Sequence, residues 1–437
     1  MAFTHQSCPL TRQRDFEMFE LVIFDLDNTL VLTDDLEGFR GASNLGNKDQ
    51  EYKSRLIAEI NKKNRRLLSS DFFEELKEAI PNLKLAVFTK SPRCYACTVL
   101  SEVYSDVDWE SIVAFEDVKN TKPAPDGIIL AAKACEVTNR EAIVIVGDDL
   151  GDVEAAYHAG VRVVLAELHG ASPHYEARKR IPDASVVKQK TLVEAILDIG
   201  QKLPILERLV EGVQAHNGFF GRVCRAGHFP PRTVEETKRP LQVISLGRLF
   251  TEHKSIKPRR EWHELTNEIV KFKNTDNFPI EWAKCVRDTV NEQIRIHREK
   301  GGIKSLFKKY KVVITTAPSK KNRPPRMENF LEQIESILEE SPLSNSTVEV
   351  IDDMFEFSPE AKSHHGEHLT MVQRYENVRD CLSITDDAEI ENKLVFLIDD
   401  VVTTGATLYY MDKYSRANGA EEVFCISLAH TISGARD

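Results

Sequence analysis

Short apolar runs alternate with helix-length amphipathic stretches along the first half of the chain. The runs are rich in Val and Ile and are bounded by Gly, Pro or Asp; they comprise residues 21–27, 83–89, 142–149 and 161–166. This alternation is typical of a parallel sheet with crossover helices. The polar stretch at about 35–71 is too long for a simple loop, so it predicts a small helical insertion.

The second half repeats the alternation after a break. Its apolar runs are residues 241–247, 311–317, 347–352, 394–400 and 422–429, and a helical pattern covers 327–340. Residues 214–260 are breaker-rich and carry ten Lys or Arg against three acids, which is a local charge reversal. We therefore expect two Rossmann-like α/β domains with mostly parallel sheets, at 1–200 and 240–437, joined by a basic linker at 201–239.

Composition narrows the class of protein. The 437 residues are 41% hydrophobic and 29% charged, with a formal charge of −11; these values exclude a disordered or fibrous chain and argue mildly against a general binder of polyanions. The sequence contains no run of about 18 apolar residues, so it predicts no membrane span. The first twenty residues hold no apolar signal segment, and the eight cysteines are scattered, so we expect reduced thiols and a cytoplasmic protein.

Acidic side chains follow two strands of the first predicted sheet. Asp25 and Asp27 end the first strand, and Asp148, Asp149 and Asp152 follow another. Alternate residues of a strand share a face, and open α/β sheets bind ligands at the edge where the strands end. Several carboxylates in one crevice repel one another unless a cation lies among them, and oxygen ligands suit Mg²⁺. An Asp pair after a strand can also be a simple turn or helix cap.

Two further polar residues lie between these acids in the sequence. Thr89 closes the second strand, and Lys122 precedes a predicted helix in a loop that contains Pro123 and Pro125. A hydroxyl group and an ammonium group can bind a phosphoryl group opposite a nucleophile. The order and placement of these residues favour a phosphate site over isolated caps.

These residues resemble the four motifs of the haloacid dehalogenase superfamily, over residues 21–200 and with Thr29 in the first motif. The resemblance implies a phosphatase in which Asp25 attacks phosphorus and Asp27 acts as acid and base. It also implies Mg²⁺ held by Asp25, the carbonyl of Asp27 and Asp148, with Asp149 or Asp152 in support. The insertion at about 34–80 takes the place of the family's small helical cap.

A second constellation lies near the C-terminus. A strand of apolar residues ends in two adjacent acids, and a loop of small residues then opens a helix; these residues are Asp399, Asp400, Thr403, Thr404, Gly405, Ala406 and Thr407. Loop amides and hydroxyls at a helix start can hold a phosphate, and adjacent acids can accept hydrogen bonds from two sugar hydroxyls. The pattern predicts a ribose 5-phosphate site.

This string is similar to the 5-phosphoribosyl 1-diphosphate (PRPP) signature of type I phosphoribosyltransferases. The loop containing Ser319, Lys320, Lys321 and Arg323 takes the place of the family's pyrophosphate loop, and residues 369–384 resemble the ComF group through Arg374, Asn377 and Val378. The resemblance implies Mg²⁺, PRPP as a substrate and phosphoribosyl transfer. It names no nucleobase.

The sequence thus predicts a bifunctional enzyme that acts on small phosphorylated metabolites and PRPP, with a homodimer left open. One alternative is a regulatory or defence protein in which the transferase fold senses PRPP or a nucleotide. Another is a nucleic-acid end-processing phosphatase that uses the basic stretch, with Arg222, Arg225 and Arg232 as contacts. We favour the stretch as an interdomain connector whose cations face acids of the two domains.

Overall fold

The structure is a computed structural model of the chain. It describes residues 18–169, 180–213, 222–235, 239–272, 275–302, 305, 308–319, 325–362, 369–385 and 388–434. Two α/β units are present, each built on its own sheet, as the hydrophobic pattern predicts.

The N-terminal unit is built on a six-stranded parallel sheet. Its strands are β1 (Leu21–Phe24), β2 (Lys84–Phe88), β3 (Ser111–Val113), β4 (Ile143–Gly147), β5 (Arg162–Ala166) and β6 (Ala184–Val186). Their order across the sheet is β3-β2-β1-β4-β5-β6, and every pair is parallel. All residues of β1, β4 and β5 are buried, because helices cover both faces of the sheet.

Seven helices accompany these strands within the described residues. They are α1 (Glu37–Arg40), α2 (Gln50–Ile60), α3 (Ser70–Ala79), α4 (Arg93–Val103), α5 (Asp126–Ala134), α6 (Leu150–Ala159) and α7 (Gln189–Leu197). Short 3₁₀ turns occur at Asp34–Leu36, Ala42–Asn44, Phe115–Asp117, Arg140–Ala142 and Ile199–Lys202. The first two helices form the small helical insertion that the polar stretch predicts between β1 and β2.

Arg65 ties this insertion to the chain that leaves β1. Its guanidinium donates to Asp35 Oδ1 at 2.6 Å, to Asp35 Oδ2 at 2.9 Å and to the Leu32 carbonyl at 3.0 Å. The Arg65 side chain is buried, and paired guanidinium–carboxylate contacts are directional. The insertion is therefore held in one orientation over the end of β1.

The C-terminal unit has a seven-stranded, mostly parallel sheet. Its strands are β7 (Cys224–His228), β8 (Leu241–Ser245), β9 (Arg248–Phe250), β10 (Tyr310–Thr316), β11 (Ser346–Val350), β14 (Leu394–Val402) and β15 (Glu422–Ile432); β12 (Phe355–Phe357) and β13 (Leu382–Ile384) form a separate antiparallel pair. The order is β11-β10-β14-β15-β8-β7, with β9 also on β15 and β7 antiparallel to β8.

The helices of this unit cover both faces of its sheet. They are α8 (Ile205–Val210), α9 (Lys257–Arg260), α10 (Glu264–Phe272), α11 (Ile280–Lys300), α12 (Arg326–Glu340), α13 (Met371–Cys381) and α14 (Ala406–Ala417). Helix α8 and edge strand β7 fall inside 201–239, the range expected as linker, and both pack with the C-terminal sheet. Among the described helices, none has the length and hydropathy that a membrane crossing needs.

The two units share an apolar layer. Phe250, Ile256 and Ile432 of the C-terminal unit belong to the same buried cluster as one face of the N-terminal sheet. Tyr157 of α6 meets Phe250 edge-on, with ring centroids 5.1 Å apart. Gly160 ends α6 at φ 75°, and a Cβ there would lie 2.8 Å from the Pro258 backbone, so glycine permits this close approach.

A buried network of charges lies beside that layer. Arg248 donates to Glu207 Oε1 at 2.8 Å and to Asp183 Oδ1 at 2.8 Å, and Arg259 also pairs with Asp183. Burial alone raises the pKa of Asp183, but the charges of Arg259 and Arg248 outweigh it and hold that pKa well below its usual range. Arg248 and Arg259 come from the basic stretch, so these two cations pair with buried acids where the two units meet.

Candidate active site

The turn after β1 places two carboxylates at the carboxyl edge of the N-terminal sheet. The Asp25 amide donates to the Val146 carbonyl at 2.8 Å, which continues the pairing of β1 with β4 for one residue. The chain then turns through Asn28, whose φ is 60°, a conformation that Asn tolerates better than most residues. Asp25 and Asp27 both line one cavity as a result.

Strand β4 ends beside β1 and delivers a second group of acids. Asp149 is the N-cap of α6: it accepts from the Asp152 amide at 3.1 Å, and Asp152 accepts from the Asp149 amide at 3.3 Å. Both residues thus have a capping role as well as a place at the site. Thr29 donates to Asp148 Oδ1 at 3.3 Å and joins the two strand ends.

Lys122 lies between the acids of these two strands. Its buried ammonium donates to Asp25 and lies 2.6 Å from Asp152 Oδ1. Burial by itself lowers the pKa of Lys122, but the charges of Asp152 and Asp25 outweigh it and raise that pKa. The lysine is therefore a permanent cation next to the Asp25 carboxylate.

The pKa values of two acids at this site are strongly raised. Burial raises the pKa of Asp25 well above its usual range, with Lys122 opposing and Asp152 adding to the rise. Burial, followed by the charges of Asp152 and Asp149, raises the pKa of Asp148 to about 7. Such shifts are typical of a crowded acidic site that gains a cation when it functions.

Three carboxylates form a candidate metal centre. One oxygen from each of Asp25, Asp148 and Asp152 lies within 4.8 Å of the others. The donor set contains oxygen alone, and burial, which is the largest cause of the raised pKa values of Asp25 and Asp148, disfavours their charged forms unless a cation is bound. These residues fit a hard divalent cation such as Mg²⁺.

Asp27 is held by hydroxyl groups from the neighbouring strand and helix. Ser91 donates to Asp27 Oδ2 at 2.5 Å, Thr89 donates to the same oxygen at 3.4 Å, and Tyr95 donates to Oδ1 at 3.0 Å. Ser91 and Tyr95 did not emerge from the sequence. For Ser91 a signal was available, because it follows Thr89 by two residues. Tyr95 lies in the first turn of α4, where the strand-end rule does not apply.

The cavity over these groups has a volume of about 470 Å³. Its wall also includes residues of the insertion, among them Arg40, whose Nη1 lies 3.2 Å from Asp27 Oδ1. The full lining is Asp25, Asp27, Asn28, Glu37, Arg40, Gly41, Thr89, Lys90, Ser91, Lys122, Asp148, Asp149 and Asp152. The structure thus brings together all of the acids, the threonine and the lysine that the sequence predicts for the first site.

The second candidate site lies at the end of β14. The strand continues to Val402, beyond the acids where the sequence placed its end, and α14 begins at Ala406. Burial and the neighbouring charge of Asp400 raise the pKa of Asp399 well above its usual range. Asp400 is paired with Arg326 from the start of α12.

A tight loop separates these acids from α14. Thr403 is exposed and shares a hydrogen bond of 2.9 Å with Thr431 of β15, while the Thr404 carbonyl accepts from Tyr375 at 2.9 Å. Gly405 has φ 80°, and a Cβ there would lie 2.9 Å from His228 Cγ. Ala406 and Thr407 form the first turn of α14.

The predicted pyrophosphate loop is described only in part. Ser319 donates to Glu328 Oε2 at 2.8 Å. Lys320, Lys321 and Arg323 lie outside the described residues. In the basic stretch, Arg222 donates to the Pro182 carbonyl at 3.0 Å and Arg225 to Gln293 at 2.9 Å, so both guanidinium groups serve internal contacts.

The fold and the first site define a class of protein. It is an α/β domain in which acids, a lysine and a threonine meet at one edge of the sheet, where three carboxylates form a candidate metal centre. Residues 37–166 match the family model described as haloacid dehalogenase-like hydrolase. The N-terminal unit therefore contains a haloacid dehalogenase-like domain. The match includes Thr89, Lys122 and the acids after β4, and it begins after Asp25 and Asp27.

Two curated proteins are similar to part of the chain. A phosphorylated carbohydrates phosphatase of Thermotoga maritima is 28% identical over 144 residues, which are 33% of this chain and 62% of the relative. An N-acetylmuramic acid 6-phosphate phosphatase of Pseudomonas putida is 31% identical over 98 residues, 21% of this chain and 44% of the relative. The chain thus spans less than two thirds of the length of either relative.

Solved structures also resemble part of the chain. CbbY from Rhodobacter sphaeroides in complex with phosphate has 20% identity and a TM-score of 0.33, over 41% of this chain and 100% of that one. A HAD-superfamily hydrolase from Ehrlichia chaffeensis has 16% identity and a TM-score of 0.28, over 42% and 98%. At these scores the likeness carries no weight for function.

Proposed function

We propose that the N-terminal unit is a phosphatase that hydrolyses phosphate monoesters of small metabolites. The observation that carries the proposal is the position of Asp25, whose carboxylate contacts Lys122 and lies at one sheet edge with Asp148 and Asp152. A carboxylate next to a permanent cation can approach a phosphate dianion that it would otherwise repel.

In this proposal the reaction has two displacement steps. Asp25 attacks phosphorus through one carboxylate oxygen, the bond from phosphorus to the ester oxygen breaks, and Asp27 gives its proton to that oxygen. Asp27 then takes a proton from a water molecule that attacks the aspartyl-phosphate, which releases inorganic phosphate and restores both carboxyl groups. Thr89 and Lys122 provide a hydrogen bond and a charge for the phosphoryl oxygens.

The proposed cofactor is Mg²⁺. Asp25 and Asp148 would hold it with the Asp27 carbonyl, and Asp149 or Asp152 would support the ligands. When bound, the cation neutralises charge on the phosphoryl oxygens. The names of the two curated relatives, a carbohydrate phosphatase and a muramic acid phosphate phosphatase, favour sugar-like phosphate esters.

A phosphatase screen of the purified full-length protein tests this proposal. The panel contains small phosphometabolites, an aryl phosphate and phosphorylated oligonucleotides, each with and without MgCl₂. Asp25→Asn is nearly isosteric and removes the nucleophile, so we expect it to fold and to lose hydrolysis by at least about 100-fold. Wild-type turnover that is unchanged in this variant would exclude Asp25 as the nucleophile.

We also propose that the C-terminal unit binds PRPP and transfers its phosphoribosyl group. The supporting observation is the loop between β14 and α14, where Gly405 at positive φ permits a tight turn, Thr403 exposes its hydroxyl and two acids precede it. Backbone amides at such a helix start favour a phosphate group.

Two measurements separate PRPP binding from phosphoribosyl transfer. Calorimetric titration of the protein with PRPP in MgCl₂ measures binding, and an assay of diphosphate release with a panel of nucleobases measures transfer. Binding with diphosphate release supports transfer. Binding without release across all acceptors favours the alternative in which this unit senses PRPP, and no binding excludes both.

A further inference from the structure

Two cysteines lie three residues apart at the start of α4. Cys94 is the second residue of this helix and Cys97 the fifth, and both side chains are half-buried. They are the two cysteines that lie nearest to each other in the sequence. Residues three apart on a helix share a face, with Cβ atoms about 5–6 Å apart, while a disulfide requires about 4 Å. A small adjustment of this helical turn would therefore bring the two sulfur atoms into bonding distance.

A guanidinium group accompanies Cys97. Arg93, the first residue of α4, interacts with Cys97 one turn further along the helix. Hydrogen bonding to Asp117 is the main cause that raises the pKa of Arg93, and Cys97 adds to the rise. A cysteine reacts as its thiolate, and that form is stabilised by a cation and by the start of a helix. Cys97 is therefore placed to attack an oxidant, and Cys94 is placed to attack the oxidised sulfur.

Cys94 connects α4 to the helical insertion. Its thiol donates to the Asn44 carbonyl at 3.4 Å, and its own carbonyl accepts from Thr98 Oγ1 at 2.8 Å in the next turn of the helix. A disulfide has no S–H group, so its formation would remove the contact with Asn44. Oxidation would thus loosen one contact between α4 and the insertion.

Tyr95 lies between the two cysteines and connects the same turn to the catalytic carboxylates. Its side chain is fully buried, and its hydroxyl donates to Asp27 Oδ1 at 3.0 Å. Helix α4 begins two residues after Ser91, which donates to Asp27 Oδ2 at 2.5 Å. A change in this turn would therefore displace hydrogen-bond donors of the residue that the proposed reaction uses as acid and base.

We propose that Cys94 and Cys97 form a reversible disulfide in the presence of a peroxide, and that this bond lowers the phosphatase activity of the N-terminal unit. The effect on activity rests on the proposed phosphatase function, whereas formation of the bond does not. The oxidant is hydrogen peroxide, and a dithiol is the reductant that restores both thiols.

The oxidation has two steps. The Cys97 thiolate attacks one oxygen of hydrogen peroxide, the O–O bond breaks, and the hydroxide that leaves takes up a proton and becomes water. The sulfur of Cys94 then loses its proton and attacks the sulfenic acid at Cys97, the S–O bond breaks, and a second water molecule leaves. Two thiols are oxidised to one disulfide, and one peroxide is reduced to two water molecules.

The test treats the reduced full-length protein with increasing concentrations of hydrogen peroxide in MgCl₂. Free thiols are then capped with iodoacetamide, peptide mapping locates the oxidised cysteines, and hydrolysis of an aryl phosphate measures activity. We expect the peptide that contains both cysteines to lose two hydrogen atoms and to carry no cap. In the same samples kcat/KM should fall by about tenfold or more, because small displacements of catalytic groups have effects of this size. Dithiothreitol should restore it.

Three variants separate the roles of the thiols. Cys97→Ser removes the attacking sulfur and should retain its activity in peroxide. In Cys94→Ser, a sulfenic acid should accumulate at Cys97, where dimedone traps it. Cys381→Ser is the matched control, because Cys381 is also half-buried but ends α13 in the C-terminal unit; this variant should lose activity in peroxide as the wild type does.

The outcomes distinguish this proposal from the phosphatase proposal. If peroxide leaves both thiols of the wild type open to capping, or links either one to another cysteine, the disulfide is excluded. A disulfide that leaves kcat/KM unchanged, or an equal loss of activity in Cys97→Ser, overturns its effect on the site. If the reduced protein does not hydrolyse the aryl phosphate, the phosphatase proposal is in question, and the peptide map still decides whether the bond forms.

Discussion

The ammonium of Lys122 donates a hydrogen bond to the carboxylate of Asp25 across two loops that are far apart in sequence. Because Lys122 lowers the raised pKa of Asp25, its removal leaves the nucleophile protonated over a wider pH range. We expect Lys122→Met to reduce kcat/KM by about 100-fold or more at neutral pH, with a pH–rate profile displaced to higher pH. Lys119→Met is the control, since Lys119 is exposed three residues earlier in the chain and does not belong to the cavity lining; equal losses in both variants would contradict the assignment.

Magnesium should stabilise the protein in a pH-dependent way. The pKa of Asp148 is raised to about 7; a carboxyl with a raised folded-state pKa is favourable when protonated and destabilises the fold as pH rises above its unfolded value. Cation binding relieves this cost, so millimolar MgCl₂ should raise the melting temperature more at pH 8 than at pH 6. Thermal melts at both pH values, with Asp148→Asn as the comparison, measure the effect. A Mg²⁺ shift that is the same at both pH values, or unchanged in Asp148→Asn, would argue against a metal at this residue.

The buried network between the units should make stability depend on Arg248. Arg248→Met leaves Asp183 and Glu207 buried with less positive charge, which costs about 3–5 kcal/mol in comparable cases. The pKa values of both acids are lowered in the wild type, so the network stabilises the fold above the unfolded pKa of about 4 and loses this effect as pH falls below it. Without Arg248 the pKa values of both acids would be higher, so the folded variant would take up protons at these acids as the pH falls and would recover part of its loss. The difference in free energy of unfolding between wild type and variant should therefore be smaller at pH 4.5 than at pH 7.5.

Urea denaturation at the two pH values provides this comparison. Arg260→Met is the matched control, because Arg260 lies next to Arg259 in α9 but pairs with the exposed Glu252. Its effect should stay within about 1 kcal/mol, as for other surface pairs. If Arg260→Met lowers the free energy of unfolding as much as Arg248→Met does, the buried network stabilises the fold no more than a surface ion pair.

The proposed PRPP loop depends on Gly405. An alanine there would adopt φ 80° and place its Cβ 2.9 Å from His228 Cγ, with a strain of about 1–2 kcal/mol from the left-handed conformation alone. We expect Gly405→Ala to weaken PRPP binding by about tenfold or more and to leave hydrolysis of an aryl phosphate intact. Gly419→Ala carries similar backbone strain at φ 84° beyond the other end of α14, and calorimetry should show nearly normal PRPP binding for it.

The alternation of apolar runs predicted β1, β2, β4 and β5 because these strands are short, almost wholly buried and separated by helices. It missed the edge strands β3 and β6, which have only three residues each. The same logic placed Asp25, Asp148 and Thr89 together, since parallel strands end at one edge. It could not find Tyr95 or Arg40, which reach Asp27 from a helix and from the insertion, where no strand-end rule applies. The apolar pattern also did not predict the pair of Arg248 and Asp183, because charged residues are mostly exposed and a buried ion pair leaves no signal in that pattern.

Some expectations from the sequence stay predictions. The boundaries at 200 and 240, the cytoplasmic location, a homodimer and the individual roles of the site residues rest on the patterns from which they came. The structure adds that α8 and β7 lie inside the expected linker and pack with the C-terminal sheet.

The apolar layer that Tyr157 shares with Phe250 has a practical consequence for protein production. A polypeptide cut after residue 200 would expose the face of the N-terminal sheet that Phe250, Ile256 and Ile432 now cover. It would also remove the Glu211 carboxylate from Arg162 and the Arg248 guanidinium from Asp183. Such a fragment would be prone to aggregate instead of behaving as an autonomous catalyst. We therefore expect the two units of this chain, each with its own candidate site, to fold together and not as independent domains.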